Sequence, residues 1–70
     1  MAEVKASMAG SIWKVTVNRG DVVTTGQDVV ILESMKMEIP IATDTDGIVQ
    51  EIKVSEGDFI DEGDVLVIIE

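Results

Sequence analysis

The feature that most constrains the fold of this chain is an internal repeat of 37 residues. Moving the sequence by 37 positions aligns residues 10–33 with residues 47–70 without a gap. Eight of the 24 aligned pairs are identical, and these are Gly10/Gly47, Val17/Val54, Gly20/Gly57, Asp21/Asp58, Gly26/Gly63, Val30/Val67, Ile31/Ile68 and Glu33/Glu70. Two copies are too few for a solenoid, which needs at least three repeats to bury its faces. The repeat therefore predicts two halves that close on each other about a pseudo-twofold axis.

The apolar pattern inside each copy is typical of β-strands. Trp13, Val15 and Val17 alternate with polar residues, as expected of one face of a strand. Ile12 and Val49 fall out of that phase, which predicts a bulge or burial from a second side. Strands are predicted near 3–7, 10–17, 28–33, 37–42, 47–54 and 65–69, with short extended pieces near 22–24 and 59–60. Because no helix of useful length is visible, the predicted fold is all-β, a flattened barrel or sandwich of two small sheets.

Size and composition exclude several classes of function. Seventy residues predict one small domain, 1–70, and the absence of cysteine and histidine removes disulfides, thiol nucleophiles and the commonest general base and metal ligand. Fourteen acidic residues against five basic ones give a net charge of -9, which argues against nucleic acid and anionic membranes as partners. No signal peptide or membrane-spanning run is visible, so we expect a cytoplasmic location. Both a free-standing protein and one domain of a larger enzyme remain open.

The junction between the two copies carries the candidate site. The stretch Glu33-Ser34-Met35-Lys36-Met37 lies between two predicted strands, with room only for a tight hairpin turn and with no Gly, Asn or Asp in it. A favoured two-residue turn needs positive φ at its central residues, which costs a non-glycine residue roughly 1–3 kcal/mol. A turn that opposes local preference indicates a functional tip. Lys36 has no counterpart in the repeat except the chain ends, so the termini are predicted at the opposite pole.

The other lysines and the methionines have simpler interpretations that must be weighed. Lysine in a surface turn is common, and we interpret Lys5, Lys14 and Lys53 as solvated charges on strand faces. Methionines are often core plugs, but two on a turn tip offer a soft apolar surface that a partner protein reads. The single tryptophan, Trp13, is expected in the core or at its rim.

The tip sequence also resembles a known family. Glu33-Ser34-Met35-Lys36-Met37 resembles the Glu-Ala-Met-Lys-Met signature of the biotinyl domains of biotin-dependent carboxylases, with Ser34 in place of the usual alanine. The pattern Gly10…Gly20-Asp21…Gly26 and its second copy are similar to the rest of the family motif. The likeness covers residues 4–70 and is greatest to the small stand-alone biotin/lipoyl attachment proteins of bacteria. The chain lacks the insertion that forms a protruding thumb in some bacterial carriers.

The resemblance implies a fold and a function. The fold is a flattened barrel of two four-stranded antiparallel sheets, with the modified lysine on a hairpin tip. The function is that of a non-catalytic carrier domain, monomeric, in which a biotin protein ligase attaches biotin covalently to Lys36. Met35 and Met37 then lie beside the biotinyl arm, which shuttles carboxybiotin between a biotin carboxylase and a carboxyltransferase.

Three alternatives stay open beside this interpretation. A lipoyl carrier of a 2-oxoacid dehydrogenase or glycine-cleavage system shares the barrel, the repeat and the lysine, so lipoate is the alternative cofactor. An unmodified barrel used as an interaction module is a second alternative, and an enzyme is a third that the missing histidine and cysteine disfavour. A metal site is not predicted, because the calcium-loop-like stretch 44–47 places Lys53 where such a loop needs a glutamate.

Overall fold

The computed structural model describes residues 1–70 and consists of β-strands joined by turns. The eight strands are β1 (Ala2–Lys5), β2 (Gly10–Val15), β3 (Val22–Val23), β4 (Asp28–Ser34), β5 (Met37–Ala42), β6 (Gly47–Ile52), β7 (Phe59–Ile60) and β8 (Val65–Ile69). The molecule measures 31 × 19 × 18 Å along its principal axes. The predicted all-β class is confirmed. The structure contains no helix long and apolar enough to cross a membrane.

The strands form two four-stranded antiparallel sheets that the repeat converts into each other. One sheet has the order β1-β8-β6-β3 and the other the order β5-β4-β2-β7. The 37-residue shift pairs β2 with β6, β3 with β7, β4 with β8 and β5 with β1. Substituting each strand by its counterpart turns the first order into the second. The topology therefore confirms the predicted quasi-twofold architecture.

Hydrogen bonds at the strand ends repeat with the same period. The Gly20 amide donates to the Val49 carbonyl over 2.8 Å, and the equivalent Gly57 amide donates to the Ile12 carbonyl over the same distance. These bonds cross between the halves, so each copy closes the end of the other. The turns of both copies thus have the same contacts. Gly20 and Gly57 have positive φ, and the side chains of Asp21 and Asp58 each accept a backbone N–H from the residue three positions earlier, so these residues are repeated.

The core lies between the two sheets. It contains fourteen buried apolar side chains, and these are Val4, Ala6, Ile12, Val17, Val23, Val29, Val30, Leu32, Ile41, Val49, Ile60, Leu66, Val67 and Ile69. Most are β-branched, which suits a pleated and tightly packed interior. Thr43 is the one buried polar residue, and its hydroxyl donates to the Thr45 carbonyl over 2.9 Å. Pro40 lies on β5, an edge strand, where its missing N–H breaks no central ladder.

The strand positions follow the sequence-based predictions closely, and one side-chain prediction is wrong. Strands 37–42, 59–60 and 65–69 have the predicted bounds, whereas β2 and β6 each end two residues early. The pairing of β2 with β4 shifts register between Ile12 and Lys14, so the predicted bulge lies at Trp13. The extra residue changes the phase of alternation. Trp13 therefore points outward, while Val15 and Val17, predicted on its face, pack inward.

Candidate functional site

The hairpin between β4 and β5 ends in a strained two-residue turn. Ser34 pairs with Met37, which leaves only Met35 and Lys36 in the turn. Their φ angles are 53° and 64°, and they are the only non-glycine residues of the chain with positive φ. Positive φ at both central positions is the geometry of a primed turn, which matches the twist of the two strands. The strain predicted for this turn is therefore confirmed.

The turn presents its side chains to solvent. Met35 is 90% exposed and Met37 59% exposed, and Lys36 is exposed as well. The two ion pairs of the protein join Lys5 to Glu3 and Lys53 to Glu51, so no carboxylate holds the Lys36 amine. The structure brings together all three residues predicted for the site. Their exposure leaves the amine open to an incoming acyl group and the methionines open to the surface of a partner.

Two carboxylates lie at the base of the turn. Glu33 on β4 is directly opposite Glu38 on β5, and both side chains are exposed. Like charges at directly opposed positions destabilise a hairpin. No lysine or arginine lies within 4.0 Å of either carboxylate. The flank of the hairpin is therefore an acidic surface with its charges unpaired inside the protein.

The hairpin is anchored to a rigid part of the sheet. Strand β4 lies between β5 and β2, and Val30 and Leu32 on it are completely buried. Gly10 on β2 approaches the end of β4 so closely that a Cβ atom there would lie 2.7 Å from the Glu33 carbonyl oxygen. Only glycine permits this approach of the two backbones. The turn is thus held at a fixed position relative to the core.

No concave site accompanies the lysine. The structure has one surface depression, of about 320 Å³, lined by residues of β1, the end of β5 and the following turn, namely Glu3, Val4, Lys5, Ala42 and Asp44. The tip at Lys36 lies at the other end of β5. The hairpin therefore offers a projecting amine with no enclosing pocket, a geometry suited to insertion into the active site of another protein.

A second turn carries the one perturbed ionisable group. The backbone amide of Thr25 donates to Asp46 Oδ1 over 2.6 Å, and the Thr25 hydroxyl donates to the same oxygen over 2.9 Å. These bonds stabilise the carboxylate and hold the pKa of Asp46 below its ordinary value of 3.8. Asp46 belongs to the stretch that resembles part of a calcium loop, and its Oδ1 serves to join two turns of the protein.

Sequence reasoning did not identify two exposed aromatic residues on the sheet that carries the hairpin. Phe59 is 76% exposed and Trp13 43% exposed. The repeat aligns Phe59 with Val22 as an apolar position, and the sequence predicts Trp13 in the core or at its rim. The signal for Phe59 was its place beside the repeated Gly-Asp turn, in a strand of only two residues. For Trp13 the signal was the break in alternation at Ile12.

Comparison with known proteins gives close matches over nearly the whole chain. A model of the biotin/lipoyl family, described as "Biotin-requiring enzyme", matches residues 2–69. A biotin/lipoyl attachment protein of Bacillus subtilis (strain 168) is 62% identical over 63 residues, which cover 90% of this chain and 86% of that protein. A biotinylated protein TB7.3 homolog of Mycobacterium leprae (strain TN) is 46% identical over 70 residues and covers 99% of both chains.

Solved structures of much larger proteins contain the same fold. The structure matches the Kluyveromyces lactis urea carboxylase with a TM-score of 0.93 and 30% sequence identity, covering 99% of this chain and 6% of that one. Because the family model spans residues 2–69 and the relatives match almost end to end, the chain belongs to the family of biotin/lipoyl attachment domains.

Proposed function

We propose that Lys36 is the attachment point for biotin and that the protein is a non-catalytic carrier in a biotin-dependent carboxylase. The observation that carries this proposal is the Lys36 amine, exposed and unpaired on a strained hairpin turn between two exposed methionines. Relatives with carrier names support it. One is a biotin carboxyl carrier protein of Streptococcus mutans, 47% identical over 64 residues that cover 91% of this chain and 49% of that protein.

The residues at the tip fit a covalently attached arm. An amide bond forms when the neutral Lys36 amine attacks the acyl carbonyl of biotinyl-adenylate, AMP leaves, and the amine proton passes to a base. The attacking amine must be neutral, and this chain places no base or apolar enclosure against Lys36. A biotin protein ligase therefore supplies both the activated acyl group and the base. Once attached, biotin supplies a ureido ring that takes up and releases a carboxyl group.

The protein contributes position to this cycle. Met35 and Met37 give the arm an apolar surface at its root, and the fixed hairpin determines where the arm begins. A biotin carboxylase and a carboxyltransferase act on the far end of the arm in turn, and tethering keeps the local concentration high at each site. We propose that the carrier works as a monomer in the cytoplasm, where its acidic surface faces basic docking surfaces on these partners.

The alternative is a lipoyl carrier. The relative from Bacillus subtilis is named for both groups, and this observation keeps lipoate in consideration. The Met-Lys-Met tip and the relatives named for biotin favour biotin.

Co-expression with a biotin protein ligase tests the proposal. Wild type and Lys14→Arg are expected to bind avidin, and Lys36→Arg is expected to lose capture completely while it keeps the wild-type unfolding temperature, because the side chain is exposed and unpaired. Capture of Lys36→Arg by avidin would show that biotin is attached to another amine. Intact mass after parallel co-expression with a lipoyl ligase separates the two groups, and a lipoyl increment without a biotinyl one would establish the alternative.

A further inference from the structure

Both aromatic residues of the protein lie on the outer face of the sheet that carries Lys36. Trp13 and Phe59 are the only aromatic side chains in the sequence. They belong to β2 and β7, which lie in the same sheet as the β4–β5 hairpin. Their exposed fractions, 43% and 76%, are high for large apolar side chains. Both aromatic residues of the chain are thus exposed on one side of the molecule, Phe59 mostly and Trp13 by less than half.

Phe59 lies in line with the base of the hairpin. Ser11 on β2 pairs with Glu33 on one side and with Phe59 on the other. Residues directly paired across a sheet point to the same face. Because Ile12 and Ile60 are buried, this row is the outward one. Two strand spacings separate Phe59 from Glu33, or about 10 Å.

Trp13 reaches the same face through the bulge. The pairing of β2 with β4 skips from Ile12 to Lys14, so Trp13 and Lys14 both point outward where regular alternation allows one residue. The Lys14 ammonium lies 5.5 Å from the centre of the Trp13 ring. Ile31, the partner of Lys14 on β4, is half-buried on this face. The face is thus continuous from the hairpin to the indole.

The equivalent positions of the other sheet show that the scaffold does not need aromatic residues here. The repeat places Gln50 at the position of Trp13 and Val22 at the position of Phe59. The same kind of bulge occurs at Gln50, where the pairing of β6 with β8 skips from Val49 to Glu51. Val22 is 73% exposed, so it contributes no more to the core than Phe59 does. The repeated scaffold therefore forms without an aromatic side chain at either position.

The short distance from the hairpin to the Lys36 side-chain nitrogen indicates which partner contacts this face. A ligase that acylates Lys36 must bring its active site to the side-chain nitrogen itself, whereas the carboxylase and the transferase act at the far end of the arm. A standard protein interface buries about 800 Å² on each side, a patch roughly 16 Å in radius. Centred on the hairpin tip, such a patch includes the row that contains Phe59. Large aromatic side chains are the usual energetic centres of such patches, whereas valine is under-represented among them.

The charge of this face also indicates what kind of partner surface it binds. One row across the sheet at the base of the hairpin contains Glu38, Glu33, Ser11 and Phe59 in that order, and neither carboxylate has a basic partner. A ligase surface with an apolar pocket bordered by basic side chains complements this face.

We propose that Trp13 and Phe59 are the anchors by which a biotin protein ligase docks on the carrier, an inference that rests on the proposed function of Lys36. The ligase receives Phe59 in an apolar pocket and packs over the Trp13 indole, and this contact places the hairpin in its active site. The face is a binding surface of the unmodified protein, because recognition precedes acylation.

Steady-state biotinylation by a bacterial biotin protein ligase with ATP and biotin tests the proposal. Phe59→Ala is expected to lower kcat/KM about tenfold and Trp13→Ala severalfold, in both cases through KM, because docking energy is lost equally in the ground state and the transition state. The matched controls are Val22→Ala and Gln50→Ala at the equivalent positions of the other sheet. They are expected to stay within twofold of wild type. Phe59→Leu, which keeps an apolar side chain, is expected to recover part of the loss.

A second measurement reports contact directly. In the ¹⁵N-labelled carrier the Trp13 indole N–H gives a single resonance, which is expected to shift or broaden when unlabelled ligase is added.

Equal kcat/KM for Phe59→Ala and Val22→Ala, with no change at the indole, would overturn the proposal. Normal biotinylation with slow carboxyl transfer would assign the face to the carboxylase partners instead, and a dimer that Phe59→Ala dissociates would assign it to a second copy. Failure of the wild type to accept biotin at all would instead refute the proposed function.

Discussion

The two halves of this protein share a scaffold and differ at their outer ends. In one half, β4 continues through Met35 and Lys36 into β5, and the turn is strained and exposed. In the other half, the repeat-equivalent end of β8 lies beside the first strand, where Ala2 pairs with Ile69. The matched contacts make the barrel, and the unmatched hairpin carries Lys36, the proposed attachment point. The repeated residues are thus the ones that build the scaffold, and the candidate site lies where the repeat ends.

The outer faces of the two sheets differ in the same sense. The β1-β8-β6-β3 sheet has its charges in local ion pairs, Lys5 with Glu3 and Lys53 with Glu51. The sheet with the hairpin leaves Glu33 and Glu38 unpaired and exposes aromatic side chains. One sheet thus has its strand charges paired within the protein, and the other leaves two carboxylates unpaired beside exposed aromatic side chains.

The largest expected effect concerns a contact that the halves share. A Cβ atom at Gly10 would lie 2.7 Å from the Glu33 carbonyl oxygen, and one at Gly47 would lie 2.5 Å from the equivalent oxygen of Glu70. Gly10→Ala and Gly47→Ala are each expected to lower the free energy of unfolding by about 2–3 kcal/mol, because the strands must separate to admit the methyl group. For a domain of this size the unfolding midpoint falls by roughly 10–20 °C. Thermal and urea unfolding measure this loss.

The same pair of variants separates scaffold from site. Gly10→Ala displaces the end of β4 and is expected to slow biotinylation of the folded protein, whereas Gly47→Ala acts at the other pole and leaves the rate unchanged. Ser11→Ala, on the outward face beside Gly10, is the control and is expected to keep wild-type stability. Equal slowing of biotinylation by both glycine variants would contradict the assignment of the site to the pole at Gly10.

A smaller effect of opposite sign is expected at the turn. Met35 has a φ of 53°, which a side chain adopts at a cost of roughly 1–2 kcal/mol and glycine adopts freely. Met35→Gly is expected to stabilise the protein by about 1 kcal/mol, after the extra freedom of glycine in the unfolded chain is deducted. The same variant is expected to be a poorer ligase substrate, because it removes an exposed apolar side chain from the tip.

Met37→Gly is the matched control for this gain. Met37 lies on β5 without positive φ, so glycine there is expected to destabilise by about 0.5–1 kcal/mol. Destabilisation by Met35→Gly as well, measured by urea unfolding, would contradict the view that the turn stores strain for function.

Most of the fold could be predicted from the sequence, because the β-branched runs indicate the strands and the repeat indicates each strand a second time. The bounds of β5, β7 and β8 and the positive φ of the turn followed from local rules alone. The outward position of Trp13 did not, because a bulge shifts the phase of alternation by one residue and sequence does not show which residue is extra. The bond between Thr25 and Asp46 could not be predicted either. It joins two turns 21 residues apart and has no counterpart in the repeat, which places Glu62 and Ala9 there.

The smallest expected effect tests that unrepeated bond. The hydrogen bonds from Thr25 lower the pKa of Asp46, so the folded state favours the carboxylate. The stabilisation is fully present above the ordinary pKa of 3.8 and is lost as the pH falls through the lower pKa of the folded state. The difference in unfolding free energy between wild type and Asp46→Asn is therefore expected to be constant from pH 5 to 7 and to shrink below about pH 3.8.

The pH dependence of the Asp46 carboxyl chemical shift measures the pKa of this group directly. Thr25→Ala removes the hydroxyl bond and is expected to raise the Asp46 pKa part of the way to its ordinary value, since the backbone bond remains. A titration of Asp46 unchanged by Thr25→Ala would show that the hydroxyl has no part in it.

The central claim is that one amine, at the pole where the halves differ, receives the prosthetic group. Peptide mapping of the protein after co-expression with a biotin protein ligase tests it most directly. We expect all of the biotin on the peptide that contains Lys36 and none on peptides with Lys5, Lys14 or Lys53. Biotin on any of these three, or spread among several amines, would contradict the account.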